Sequence, residues 1–293
     1  MGEGRIVKAL SGFYYVKSGD EIYACKGRGV FRKKNINPLV GDFVNFDMTN
    51  EGEGYITEVK TRKNELARPP IANIDMALIV SSAKTPEFSP LLLDRFLVLI
   101  ESKDIKPLIF ITKVDKMKEQ EREKIEDYQR DYEKIGYSVE LVDAQEGSDL
   151  TRFKDYFSQK VTVIAGQSGV GKSSILNALN PSLLIETDEI SKSLGRGKHT
   201  TRHVELVEVG DGLVADTPGF SNLDFSEIER EELSDCFPEF HSKKDLCRFR
   251  GCLHDKEPGC AIKKSVKDGE TPSYRYENYL SFLEEIQTRK PRY

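Results

Sequence analysis

Residues 166–173 read Gly-Gln-Ser-Gly-Val-Gly-Lys-Ser, between the apolar run Val161–Ala165 and a helical pattern over Ser174–Leu179. A G-x-x-x-x-G-K-S stretch in that setting commits the chain to an α/β sheet, because it works only where a buried strand ends in a glycine-rich turn and a helix begins. Gly166, Gly169 and Gly171 free the backbone so that the N–H groups of Gln167, Ser168, Val170 and Ser174 can converge on a phosphate. The helix N-terminus adds its partial positive charge. Lys172 is placed to reach β- and γ-phosphates, and the Ser173 hydroxyl to ligate Mg²⁺. The competing reading, a glycine-rich turn without a ligand, does not require lysine and serine at the helix start.

The loop alone fits any nucleoside triphosphate; Thr112-Lys113-Val114-Asp115 narrows the base. It follows the apolar run Leu108–Ile111 and so falls at the carboxyl end of a buried strand, where α/β sheets bind ligands. A carboxylate at Asp115 accepts from guanine N1–H and N2–H₂ together, a pair adenine lacks, while the Lys113 stem packs along the base. Thr112 stands where such motifs commonly carry Asn, and Asp143 where the second base-side loop often carries Ser. Asp216-Thr217-Pro218-Gly219 follows Leu213–Ala215 and reads D-x-x-G, with Asp216 expected to hold Mg²⁺ through water and the Gly219 N–H to sense the γ-phosphate. A strand-end turn is the plain alternative there. Between the loop and this motif lies the polar, glycine-bearing stretch Gly195–Arg202, in which Thr201, with Thr200 second, is expected to ligate Mg²⁺ when the triphosphate is bound.

The order of these motifs is unusual. Lys113-Val114-Asp115 precedes Gly166, whereas the base-reading motif ordinarily comes last. A circular permutation accounts for this, since the same strands fill the same sheet when the ends are joined elsewhere.

At 293 residues one core is too few. Gly12–Val16, Glu21–Cys25, Asp42–Phe46 and Gly54–Val59, with turns at Ser18-Gly19-Asp20 and around Gly52, read as a small barrel that periodicity leaves open between OB-type and SH3-like. Arg68-Pro69-Pro70 then punctuates the chain. Beyond it, apolar strands (Met76–Val80, Leu108–Ile111, Ser138–Val142, Val161–Ala165, Leu213–Ala215) alternate with helices, one opening at Ser89-Pro90 and one charge-laced over Met117–Ile135. A hairpin at Gly210-Asp211-Gly212 predicts an antiparallel edge strand through His203–Val209. After about Asp224 the strand signal stops and polar helices surround a Cys/His cluster.

That cluster is Cys247, Cys252, His254 and Cys260, a C-x₄-C-x-H-x₅-C pattern with turns at Gly251 and Pro258-Gly259. Three thiolates and an imidazole so close together suit a closed tetrahedral Zn²⁺ site, structural rather than hydrolytic. Buried or redox thiols are the alternative. Cys25 and Cys236 read as core residues and His241 as a weaker ligand candidate. Five cysteines, an odd number, argue against a disulfide framework. Together with the absence of a signal-like or membrane-spanning stretch, they give cytoplasm as the expectation and no membrane partner.

Charge sums to 44 − 49 = −5, which excludes a wholly cationic nucleic-acid wrapper but not a local basic face. Lys243–Lys267 alone carries eight basic and three acidic residues, 8 − 3 = +5, and the barrel groups Lys26, Arg28, Arg32, Lys33 and Lys34 beside Phe31. Both patches suit phosphate contacts and base stacking.

A small N-terminal barrel, the motif order K-x-D, phosphate loop, threonine switch and D-x-x-G, and a C-terminal C-x₄-C-x-H-x₅-C module together resemble the ribosome small-subunit-dependent GTPase A family, RsgA. The resemblance spans nearly the whole chain. It implies a multidomain α/β protein: an OB-fold RNA-binding domain over 1–68, a circularly permuted GTPase domain over 69–223 and a helical zinc-binding domain over 224–293. It further implies a monomer that hydrolyses GTP to GDP in late maturation of the small ribosomal subunit, is stimulated by that particle and contacts its 16S rRNA. Phe220 stands where Ras-like enzymes place a water-orienting Gln, which predicts slow intrinsic turnover. His199 is the leading substitute, His203 the second, acting with Lys172 and Thr201. Gly169 in place of Asn argues against potassium activation. An RNA-associated scaffold whose nucleotide site only sets conformation is the competing class.

Overall fold

The computed structural model describes residues 1–29, 31, 36–49, 53–143, 150–180, 204–216 and 223–289. Its contacts divide into two compact units, the first made of Met1–Leu78 and Ala144–Ser221, the second of Ile79–Asp143 and Asn222–Tyr293.

In the first unit, β1 (Gly2–Leu10), β2 (Phe13–Ser18), β3 (Glu21–Gly27), β4 (Phe43–Met48) and β5 (Gly54–Val59) are ordered 1-2-3-5-4, and β4 pairs back onto β1 to close a barrel. The parallel β3–β5 step and this closure make it OB-type rather than SH3-like. Alternation places Ile6, Val16, Cys25, Val44 and Ile56 inside, all fully buried. Closure brings backbones very close. A Cβ on Gly4 would sit 2.4 Å from the Lys17 carbonyl oxygen, so only glycine fits that crossing.

β1 lies outside the strands expected from sequence, because its first half is glycine and charge. Arg68-Pro69-Pro70, expected as a break, lies in a small hairpin: Arg68-Pro69 form the turn between β6 (Glu65–Ala67) and β7 (Pro70–Ala72), with Ala67 opposite Pro70. β11 (Val161–Ala165) is parallel to β13 (Gly212–Asp216), which forms the expected hairpin with β12 (Glu205–Val209). The predicted edge is a correction: β12 is not an edge, because β1 of the barrel pairs with it at Lys8–Glu205.

In the second unit, β9 (Lys106–Thr112) is flanked by β8 (Met76–Ser82) and, in parallel, by β10 (Ser138–Val142). Helix α1 (Pro90–Glu101) starts where expected: Ser89 Oγ accepts from Leu92 N–H at 3.3 Å and proline occupies the first turn. Helix α2 (Glu119–Ile135) buries only Ile125 and Tyr132 and stops at Gly136, whose φ of +112° suits glycine. The C-terminal part carries helices α4 (Ala261–Lys267) and α5 (Ser273–Thr288), and packs Phe225, Leu233, Phe237 and Phe240 with Tyr279 and Phe282 of α5 into one largely aromatic cluster.

α1 and α5 meet at a buried ion network. Asp94 and Arg275 are both fully buried and bonded at 2.5 Å. Arg275 also donates to Glu239 at 2.8 and 3.1 Å, while Asp94 accepts from Tyr132 Oη and Asn278 Nδ2, each at 2.6 Å. Phe237 covers the guanidinium at 4.6 Å. Asp94 therefore serves as a packing group rather than a mere interruption of an apolar run. Removing one partner strands the other charge, so Asp94→Ala is expected to lower unfolding free energy by about 3–5 kcal/mol in urea denaturation, whereas the apolar triple Asp94→Leu, Glu239→Leu and Arg275→Met, which leaves no buried charge behind, recovers most of it. A loss below about 1 kcal/mol for the single variant would contradict this role.

Candidate functional site

β11 is buried at every position and delivers the chain to Gly166. Its entry is clamped: Val161 N–H donates to Asp75 Oδ2 at 2.8 Å, and Asp75 N–H to the Val161 carbonyl at 2.9 Å. The turn that follows needs its glycines. Gly166, Gly169 and Gly171 have φ of +140°, +77° and +102°, backbone that side-chain-bearing residues rarely adopt. Helix α3 (Lys172–Leu179) starts directly after Gly171, carrying Ser173 and Ser174 in its first turn. Lys172 Nζ donates to the carbonyls of Gly166 at 2.9 Å and Gln167 at 2.5 Å, which holds the ammonium at the mouth of the loop. Ser168 and Val170 lie within the same turn. The parallel register, Val161 opposite Leu213 and Thr162 opposite Val214, sets Asp216 at the end of the strand beside the one that feeds the loop.

Thr112-Lys113-Val114-Asp115 lies in the second unit, at the carboxyl end of β9. Thr112 is buried, and its hydroxyl donates to the Ser81 carbonyl at 3.2 Å, tying β9 to β8. Lys113 takes a left-handed conformation, φ +62°, and its ammonium donates to the Thr85 carbonyl. Val114–Lys116 form a single 3₁₀ turn, and Asp115 N–H donates to Asp143 Oδ1 at 3.1 Å. Asp143 therefore braces the turn that presents Asp115, a part an aspartate plays through its side-chain acceptor. His199, Thr201 and Gly219, with Thr200, His203 and Phe220, lie outside the described residues.

The four cluster residues converge as their spacing predicts, with one ligand atom from each of Cys247, Cys252, His254 and Cys260 all within 4.8 Å of one another. His254 Nδ1 lies 3.6 Å from Cys247 Sγ and 3.4 Å from Cys260 Sγ, and the two sulfurs are 4.0 Å apart. An ion bonded at about 2.3 Å to sulfur and about 2.0 Å to nitrogen in a tetrahedron sets its donors about 3.5–3.8 Å apart, so the donor set fits a metal. Ala261 N–H donates to Cys247 Sγ at 3.3 Å and Lys263 N–H to Cys260 Sγ at 3.5 Å, so backbone donors hold both sulfurs in place. Burial and the neighbouring thiols push Cys252 up to about 12, so it holds its proton at neutral pH unless a cation draws it off. Tyr279 and Tyr276 donate to the carbonyls of Leu253 and His254 at 2.8 and 2.7 Å and fix the loop against α5. His241 sits apart, paired with Asp235. Cys25 and Cys236 are free, buried core residues, as expected.

The basic patches divide. In the barrel, Lys26 pairs with Glu53 at 2.9 Å and Arg28 with Asp47 at 3.8 Å, so acids on the same barrel partly neutralise them. Beside the cluster, Leu246 and Phe249 are 76% and 45% exposed, and Arg248 lies over the Phe249 ring. Sequence reading missed Asp75 and the bracing part of Asp143. Both act on backbone N–H groups, which leave no residue pattern.

Comparison with known proteins agrees with this arrangement. The RsgA GTPase family matches residues 59–226 and the RsgA N-terminal domain residues 3–56. A small ribosomal subunit biogenesis GTPase RsgA 2 from Oceanobacillus iheyensis is 65% identical over 293 residues and covered in full on both sides. The RsgA of Bacillus subtilis is 55% identical over 298 residues, again with full coverage of both. Among solved structures, YloQ, described as a circularly permuted GTPase, shares 51% identity at a TM-score of 0.86, covering 100% of this chain and 97% of its own. YjeQ from Thermotoga maritima shares 36% at 0.87, with 99% of each chain covered. The likeness runs the full length of these relatives, and the chain belongs to the RsgA GTPase family.

Proposed function

We propose that this protein hydrolyses GTP to GDP and phosphate, is stimulated by the small ribosomal subunit, and acts in late maturation of that particle. The observation that carries the reading is the strand–turn–helix at 161–179, with its three left-handed glycines and Lys172 over the loop, in a chain that also carries a braced Lys113-Val114-Asp115 turn. In this reading the phosphates lie on the N–H groups of 166–174, Asp115 and Lys113 read guanine, and Thr112 supports them by holding β9 in place. Ser173, with Thr201 and Asp216, would hold the Mg²⁺ that neutralises the β- and γ-phosphates. Gly219 reports the γ-phosphate, and His199 orients the attacking water in the place Phe220 cannot fill.

The remaining assignments follow the same reading: an OB-fold domain over 1–68, a GTPase domain over 69–223, and a zinc-binding domain over 224–293 whose four donors hold one structural Zn²⁺. The partner is 16S rRNA within the small subunit. The exposed Phe249 and Leu246 among Arg248 and Arg250 support base stacking by the third domain. The protein acts as a monomer in the cytoplasm; among the described residues no helix is long and apolar enough to cross a membrane.

Phosphate release with and without purified small subunits tests the central reading. Slow intrinsic turnover that rises at least about tenfold is expected, and His199→Ala abolishes the rise. GTP binding without acceleration would make the protein an RNA-associated scaffold instead. Asp115→Asn weakens GTP about 10–100-fold and shifts preference towards xanthosine triphosphate, read by competition binding. Metal analysis should find one zinc per chain. Cys252→Ser lowers that content and exposes the aromatic cluster to proteolysis, while full zinc content in the variant would exclude Cys252 as a ligand.

A further inference from the structure

The barrel and the D-x-x-G strand share one hydrogen-bonded row. Lys8 of β1 stands opposite Glu205 of β12, and Glu205 stands opposite Asp216 of β13. Lys8 Nζ donates to Glu205 Oε2 at 2.8 Å. Lys17 of β2 makes a second ion pair with Glu208 of β12. Glu208 is held from the other side too, since its carbonyl accepts Asn180 Nδ2 at 2.7 Å where α3 ends. β12 is therefore attached both to the strand that presents Asp216 and to the helix that begins at Lys172. Beside this junction lies a cleft of about 420 Å³, with Arg5 and Lys17 on the barrel side facing Glu208 and Asp211 on the hairpin side.

We propose that Lys8 and Glu205 are positioning residues that couple the barrel to the nucleotide switch, so that what the barrel binds biases the placement of Asp216. This rests on the GTPase reading above. Strands in a ladder hold a fixed spacing and register, so β1 cannot shift without carrying β12 or breaking its bonds to it. The open cleft leaves room for the β1–β2 hairpin and the Gly210–Gly212 turn to move against each other while the Lys8–Glu205 end stays joined. Both side chains are partly exposed, and exposed pairs add little to stability, so the ion pair is not needed to keep the barrel folded. A like charge placed opposite in a strand pair does weaken that pair locally.

The test uses the full-length chain with Lys8→Glu, Glu205→Lys and the double exchange. Hydrogen exchange over residues 5–10 is compared between GDP and a non-hydrolysable GTP analogue, without ribosomes. Protection is expected to differ between the two nucleotides in the unaltered protein and in the double exchange, and to become nucleotide-independent in each single variant. With small subunits at saturation, the single variants lose about tenfold of stimulated turnover, within the usual 5–150-fold range of coupling, while GDP affinity and half-saturating subunit concentration stay within about twofold. The double exchange restores it. Lys8→Met and Glu205→Gln repeat the comparison with a smaller perturbation should a reversal fail to fold. Identical exchange of β1 in both nucleotide states overturns the proposal, whatever the subunits do. So does a change confined to half-saturating subunit concentration, which would assign the pair to docking. Absence of stimulation in the unaltered protein would instead overturn the functional reading and leave the exchange result to decide the coupling.

Discussion

The first unit depends on where β11 ends. A phosphate loop holds its N–H groups in place only if the strand before it cannot slide, and two features prevent sliding here. Asp75 closes a pair of hydrogen bonds on Val161, and β13 pairs with β11 in parallel register. A slip of one residue would turn every side chain of a strand with no exposed face to the wrong side. With β11 fixed, Gly166, Gly169 and Gly171 fall where left-handed backbone is required, and α3 begins where its N-terminus faces the loop.

In the second unit the corresponding part is played by polar groups inside the core. Asp94 and Arg275 join a helix of the α/β layer to the last helix of the chain, and a buried pair of this kind specifies which helices meet more than it adds net stability. The Cys/His cluster is held against the same helix by Tyr276 and Tyr279. The Cys/His loop, the aromatic cluster and the buried ion network therefore form one continuous body within this unit.

The site was legible wherever chemistry demands particular residue types at fixed spacing: Gly166–Ser173, Lys113–Asp115, and Cys247 to Cys260. Most strands of the α/β layer were legible because they are short, largely apolar runs. Harder cases share a cause. β1 pairs mainly through its backbone and carries Gly2, Gly4, Arg5 and Lys8, so its tertiary neighbours, not its side chains, make it a strand. The same strand conceals the fate of β12, which reads as an edge until its partner is known. Asp94 interrupts an apolar run and gains meaning only from Arg275, far away in sequence. The net charge of −5 was also a coarse guide, since Lys26 and Arg28 pair with acids on the barrel itself, and Lys243 and Lys244 with Glu270 and Asp235 beside the Cys/His cluster, while Arg248 lies over the exposed Phe249 ring.

The central proposal is that this chain selects guanine nucleotides, with Asp115 as the group that distinguishes the base. Calorimetric titration of the full-length chain with GDP and with ADP, each with Mg²⁺, tests it most directly. One GDP bound per chain with ADP at least about 100-fold weaker is the expected result, since a lost carboxylate pair to the base is worth about 1.5–3 kcal/mol and adenine also leaves Asp115 unpaired. Equal affinity for the two nucleotides would contradict it.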